Sequence, residues 1–144
     1  MEINFYQLEN LDCKVIAQIL LKIKEEKKRT LIYAKTDEIL KQIDEVLWSF
    51  SKTKFLPHAT KWEKVNPLEQ PTFLTNEENN QNQAEFLLML DEVSDDFLKK
   101  FEKIFYFFNN SNLESARKLY SNYKKKSFSI NFYKKDGDKW IKAA

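Results

Sequence analysis

The sequence predicts an α/β sandwich: a mostly parallel sheet covered by helices on both faces. Two observations carry that prediction. Short runs of strand type alternate with amphipathic helical stretches along the chain, which is the order that produces parallel βαβ units. Three of those runs, TLIYA, FLLML and IFYFF, are apolar throughout, as strands buried on both faces must be. At 144 residues the chain reads as one domain, 1–144, long enough to bury about two thirds of its unfolded surface.

Taken in order, INFYQL (Ile3 to Leu8) alternates and is rich in aromatics, which predicts a first strand. From Cys13 to Lys28, Val15, Ile16, Ile19, Leu20 and Ile23 recur at three and four, with the charged run KEEKK at the exposed end, so a helix follows. TLIYA (Thr30 to Ala34) is the second strand. Thr36 and Asp37 form an N-cap signal before Ile39, Leu40, Ile43, Val46, Leu47 and Phe50, which predicts the second helix. Phe55 and Leu56 open a third strand-like piece that Pro57 cuts off.

Residues 60 to 83 differ in kind. They hold Pro67, Pro71 and the polar tract NEENNQNQ (Asn76 to Gln83), which predicts a solvated loop region interrupted by a short strand at Thr72 to Thr75. AEFLLMLD (Ala84 to Asp91) reads as a central strand and SDDFLKKFEK (Ser94 to Lys103) as a short helix. Ile104 to Phe108 make a buried strand, with a turn at Asn109 and Asn110. Asn112 caps a last helix running to about Lys125. SFSINFYKK (Ser127 to Lys135) is a final alternating strand or extended arm.

Composition excludes several functional classes. The net charge is +2, from 24 basic and 22 acidic residues, so the chain as a whole is not a polycation shaped for duplex DNA. Its only glycine is Gly137, whereas dinucleotide fingerprints and phosphate loops need several at a strand-to-helix turn, where backbone N–H groups approach phosphate. The single cysteine, Cys13, cannot form an internal disulfide and excludes a zinc ribbon. VIAQILL and FLLML are too short to span a bilayer, and MEINFYQ lacks a basic region followed by an apolar stretch. The expectation is a cytoplasmic protein that uses no membrane, metal or cofactor.

Catalysis finds little support. His58 is the only histidine, and no serine or cysteine near it in sequence supplies a nucleophile with an orienting third group. Cys13 stands at a helix start, where a thiol is sometimes acidified, but it also reads as a small packing residue. The pairs Glu25/Glu26, Glu77/Glu78 and Asp95/Asp96 have the pattern of solvated faces. No enzyme activity is expected.

Two stretches point to binding instead. In ARKLYSNYKKK, helical spacing puts Arg117, Tyr120, Ser121 and Lys124 on one face, at i, i+3, i+4 and i+7. A guanidinium beside a phenol ring suits an acidic peptide whose carboxylate pairs with Arg or Lys while an apolar side chain lies on the ring. A plain soluble face with cations at its C-terminal end is the other reading of the same stripe. A third has Lys124, Lys125 and Lys126 gripping phosphates while Tyr120 and Tyr123 stack on bases, which would make the chain a small direct binder of single-stranded nucleic acid. The second stretch is LWSFSKTKFLPHA (Leu47 to Ala59), where Trp48, Phe50, Phe55 and Pro57 crowd one connection. Such aromatics belong equally to a core or to a partner-anchoring hot spot.

The order of INFYQL, a helix, TLIYA, TDEILKQIDEVLWSFSKTKFLPHA and, near the C-terminus, ARKLYSNYKKK resembles the chi subunit of bacterial DNA polymerase III holoenzyme over nearly the whole chain. The most specific part runs from Asp44 and Glu45, through Leu47 and Trp48, to Phe55, Pro57 and His58. The resemblance implies a Rossmann-like or P-loop-NTPase-like fold without its nucleotide site, in a non-catalytic accessory subunit of the clamp loader. It implies pairing with the psi subunit and binding of the acidic C-terminal tail of single-stranded-DNA-binding protein, which tethers the replicase to coated template and involves nucleic acid only indirectly. Carried over residue by residue, the partner-subunit surface falls on Trp48, Phe55 and Pro57. The tail-binding surface falls on Phe108, Arg117 and Tyr120, with Ser121 where the family commonly has Lys and with Lys118 or Lys124 as substitutes for that charge.

Overall fold

The computed structural model describes residues 1–50, 57–136 and 139–143. Eight strands form one sheet in the order β3-β4-β2-β5-β6-β1-β7-β8: β1 Glu2–Gln7, β2 Thr30–Tyr33, β3 Ala59–Thr60, β4 Thr72–Thr75, β5 Phe86–Met89, β6 Lys103–Phe108, β7 Ser129–Asp136 and β8 Lys139–Lys142. Every pairing is parallel except that of β8, which runs antiparallel to β7. The helices are α1 Cys13–Glu25, α2 Asp37–Ser49, α3 Asp95–Leu98 and α4 Leu113–Lys125.

Alternation along the strands sends two apolar sets in opposite directions. Phe5, Leu31, Leu87, Ile104, Tyr106 and Phe108 pack with Phe97, Leu98, Ala116, Leu119 and Tyr123 of α3 and α4. Ile32, Leu74, Leu88, Phe105 and Phe107 pack with Val15, Ile16, Leu20, Leu40, Ile43 and Leu47 of α1 and α2. The result is the three-layer sandwich that the alternating pattern predicts. Because β1 feeds α1 on one face while its neighbour β6 feeds α4 on the other, the chain direction switches between these two strands. Crevices open at the carboxyl ends of strands at such points.

Having almost no glycine leaves a trace at the helix ends. Lys27 (φ 59°) and Ser127 (φ 63°) take the left-handed conformation after α1 and α4, where glycine is the usual residue. Both ends are closed by the wrap-around bond that this geometry allows, from Lys28 N–H to the Ile23 carbonyl (3.4 Å) and from Phe128 N–H to the Tyr123 carbonyl (3.2 Å). The Phe128 and Tyr123 rings meet across the second, at 5.5 Å.

Four features differ from the sequence reading. The third strand begins after Pro57 rather than ending there: Ala59 and Thr60 pair with Phe73 and Leu74 of β4, while Phe55 and Leu56 lie outside the described residues. The helix expected over Ser94 to Lys103 is a single turn. Ser94 caps it by accepting from Phe97 N–H, and it stops because Lys103 is already the first paired residue of β6. Asn112 makes no side-chain bond into α4; it closes a capping box with Asn109 around the preceding tight turn, accepting from Asn109 N–H at 2.8 Å. The hairpin strand β8 has no counterpart in the sequence reading.

Candidate peptide-binding groove

The packing of α4 builds a groove. Ala116, Leu119 and Tyr123 are buried against the sheet, which fixes the helix's rotation and turns Leu113, Arg117 and Tyr120 towards the carboxyl ends of β1 and β6. Beneath them lies an opening of about 550 Å³, bounded by these residues together with Gln7, Phe108, Phe132 and Lys134, and with Ala143 at its mouth. The apolar part is aromatic and interlocked: Tyr120 meets Phe5 edge-on at 5.5 Å and Phe132 at 6.1 Å, and Phe108 meets Phe132 at 5.7 Å. Rings held this way form a rigid surface that needs no ordering on binding.

Charge is confined to two positions. Arg117 on α4 and Lys134 on β7 are exposed, and among the described residues neither forms an ion pair. An apolar floor flanked by uncompensated cations favours a peptide end that is both anionic and hydrophobic. On the other side of α4 a second opening of about 500 Å³ carries Asp91, Glu92, Tyr33 and Tyr106 with Lys35. Its two carboxylates make it the less favourable place for an anion.

The predicted site residues divide around this geometry. Phe108, Arg117 and Tyr120 are brought together in the groove. Ser121 is exposed on α4 outside the groove wall. The Lys124 ammonium lies 5.7 Å from the Tyr120 ring centre, so it touches the groove through the ring rather than by lining it. Lys118 is exposed and likewise absent from the wall. Gln7, Phe132 and Lys134 were not singled out from the sequence. Their signal was faint: Phe132 and Lys134 share a strand face by their spacing of two, but nothing local says that β7 would lie beside β1.

Tyr123, which one reading of the sequence offered to nucleic-acid bases, is 1% exposed. It packs on Phe5 and Phe128, so its ring cannot stack on an incoming base. Of the lysines that were to accompany it, Lys126 is paired with Asp95.

At the far end of the sheet, Trp48 closes α2 and is 55% exposed. His58 is buried, its Nε2 lies 2.9 Å from Asp44 Oδ1, and its ring lies 4.8 Å from that of Trp48. Pro57 turns towards α1, where with Leu20, Ile23 and Pro71 it borders a small void; Phe55 lies outside the described residues. Trp62, which the sequence reading passed over, is 43% exposed and has the ammonium groups of Lys41 and Lys61 each 5.3 Å from its ring centre.

Cys13 does stand at a helix start, but burial first and the neighbouring Asp12 second push its thiol upwards in pKa, away from the thiolate. Among the described residues no group of three His, Cys, Asp or Glu side chains is placed to hold a metal ion, and no helix is long and apolar enough to cross a membrane.

None of the curated proteins compared with this chain matches it. Its sequence does match the family model of the DNA polymerase III chi subunit, HolC, over residues 1–131, which covers every element from β1 to α4 and the first residues of β7. The chain therefore belongs to the DNA polymerase III chi subunit family.

Proposed function

We propose that this chain is a non-catalytic, cytoplasmic accessory subunit of the DNA polymerase III clamp loader, and that it tethers the replicase to coated template by binding the acidic C-terminal tail of single-stranded-DNA-binding protein. The observation that carries this reading is the groove: an aromatic floor at the carboxyl ends of β1 and β6, with Arg117, which forms no ion pair among the described residues, in its wall. The Arg117 guanidinium would take a tail carboxylate in two parallel bonds, and Phe108, Tyr120 and Phe132 would seat an apolar terminal side chain. Surface lysines would raise the association rate by drawing acidic residues inward, a contribution that salt screens. A separate surface around Trp48, Phe55 and Pro57 is assigned to the psi subunit; the exposure of Trp48 supports it.

Calorimetry with a short acidic peptide that has an apolar C-terminal residue and a free carboxylate tests the groove. Wild type should bind, more weakly as salt rises. Arg117→Ala should bind about tenfold or more weakly, the scale of a lost charge-assisted hydrogen bond. Equal binding by the variant would refute the placement. Direct single-strand binding is the competing reading, and anisotropy with a labelled oligonucleotide separates the two: tail peptide, not oligonucleotide, should bind at physiological salt.

A further inference from the structure

We infer that the C-terminal β7–β8 hairpin completes the groove and that Lys134 supplies its second anion contact; this rests on the tail-binding reading above. The matched family region ends at residue 131, so Phe132, Lys134 and Ala143, three of the groove's bounding residues, all lie beyond it.

Strand geometry explains how the hairpin does this. β7 pairs with β1 in parallel, Phe5 opposite Phe132 and Gln7 opposite Lys134. Residues two apart share a face, so Lys134 stands beside Phe132 on the α4 side, where it borders the same groove as Arg117. The intervening residues go the other way. Tyr133 stacks on Tyr6 at 5.0 Å, and Lys135 borders an opening with Leu8, Asp12 and Val15 on the α1 side.

The hairpin is also fixed in place. Trp140 of β8 meets Tyr6 edge-on at 5.0 Å, and Ala143 N–H donates to the Phe132 carbonyl at 2.8 Å, which holds the end of β8 against the strand that carries Lys134. Cations on two different elements of the wall, one on a helix and one on a strand, allow a ligand two separated negative charges. The groove thus selects a peptide end bearing a free carboxylate and a nearby acidic side chain. A single carboxylate would use only half of it.

Titrations of the full-length protein with the same acidic peptide, at several salt concentrations, test this. Lys134→Gln should weaken binding about fivefold and flatten its salt dependence, while Lys134→Arg restores both. Lys22→Gln, on α1 at the opposite face of the sheet, should change neither. If Arg117→Ala loses binding but Lys134→Gln binds as wild type does, with the same salt slope, the role given to Lys134 is wrong while the groove stands. If wild type does not bind the peptide, the tail-binding reading falls and this inference with it. A Lys22→Gln loss equal to that of Lys134→Gln would overturn it too, since the effect would then be one of net charge.

Discussion

The Trp48 ring lies 4.8 Å from the His58 ring at an angle of 56°, and the two side chains are at opposite extremes of exposure. His58 is 4% exposed while Trp48 is 55% exposed. The buried member is also bonded to Asp44, one turn before Trp48 on α2, so it pins the segment entering β3 to that helix. This explains why a motif spanning Asp44 to His58 mixes polar and aromatic residues: the polar pair ties His58 to α2, and the indole lies beside the His58 ring.

A contrast in stability follows. His58→Ala should cost about 2 kcal/mol in urea unfolding, since it deletes a buried ring and leaves Asp44 without that partner. Trp48→Ala should cost less than about 1 kcal/mol and yet abolish capture of a co-expressed psi subunit, if the partner surface is where it is proposed to be. Equal losses of stability from the two substitutions would make Trp48 part of the core.

Much of the architecture was legible because burial on two faces imposes a visible pattern. Ile104 to Phe108 is apolar at every position since α4 covers one side and α1 the other, and Thr72 to Thr75 stood out against a polar loop. What could not be read was neighbourhood. The β3 strand has two residues and no periodicity to detect. Nor does β8 show one: Lys139, Trp140, Ile141 and Lys142 form an edge, and edges carry charge rather than alternation. In the groove, Arg117 and Tyr120 were found because helical spacing places them together within one segment. Lys134 was missed because its relation to Arg117 runs through the pairing of β7 with β1, a contact between the two ends of the chain.

Alkaline titration should reveal how the aromatic layers are held. Burial, aided by Asp91 and Glu92, pushes the Tyr106 hydroxyl up to about 12; burial raises Tyr6 and Tyr123 further. A phenol whose folded pKa is raised favours the folded state while neutral. Its contribution is complete below the unfolded value near 10 and is lost as pH climbs towards the folded value. Stability should therefore fall between about pH 10 and 12, by up to about 1.4 kcal/mol per pH unit for each such tyrosine. Absorbance at about 295 nm, where phenolate absorbs, should rise for these three only together with the loss of circular dichroism. Ionisation of all tyrosines near pH 10 in a protein still folded would contradict the buried placement.

Tyr123 offers the last test, because its hydroxyl contributes nothing visible to the fold. The ring is 1% exposed and packs on Phe5 and Phe128, yet its oxygen has no hydrogen-bond partner among the described residues. A buried hydroxyl left in that state carries a desolvation cost of about 1–3 kcal/mol. Tyr123→Phe keeps the ring and removes the oxygen, so urea unfolding should show a protein as stable as wild type or up to about 1 kcal/mol more stable. Since Tyr123 does not line the groove, peptide binding should be unchanged. A loss of more than about 1 kcal/mol would mean that the oxygen has a partner in solution, such as a buried water, and that the α4 side of the core is polar where its packing makes it apolar.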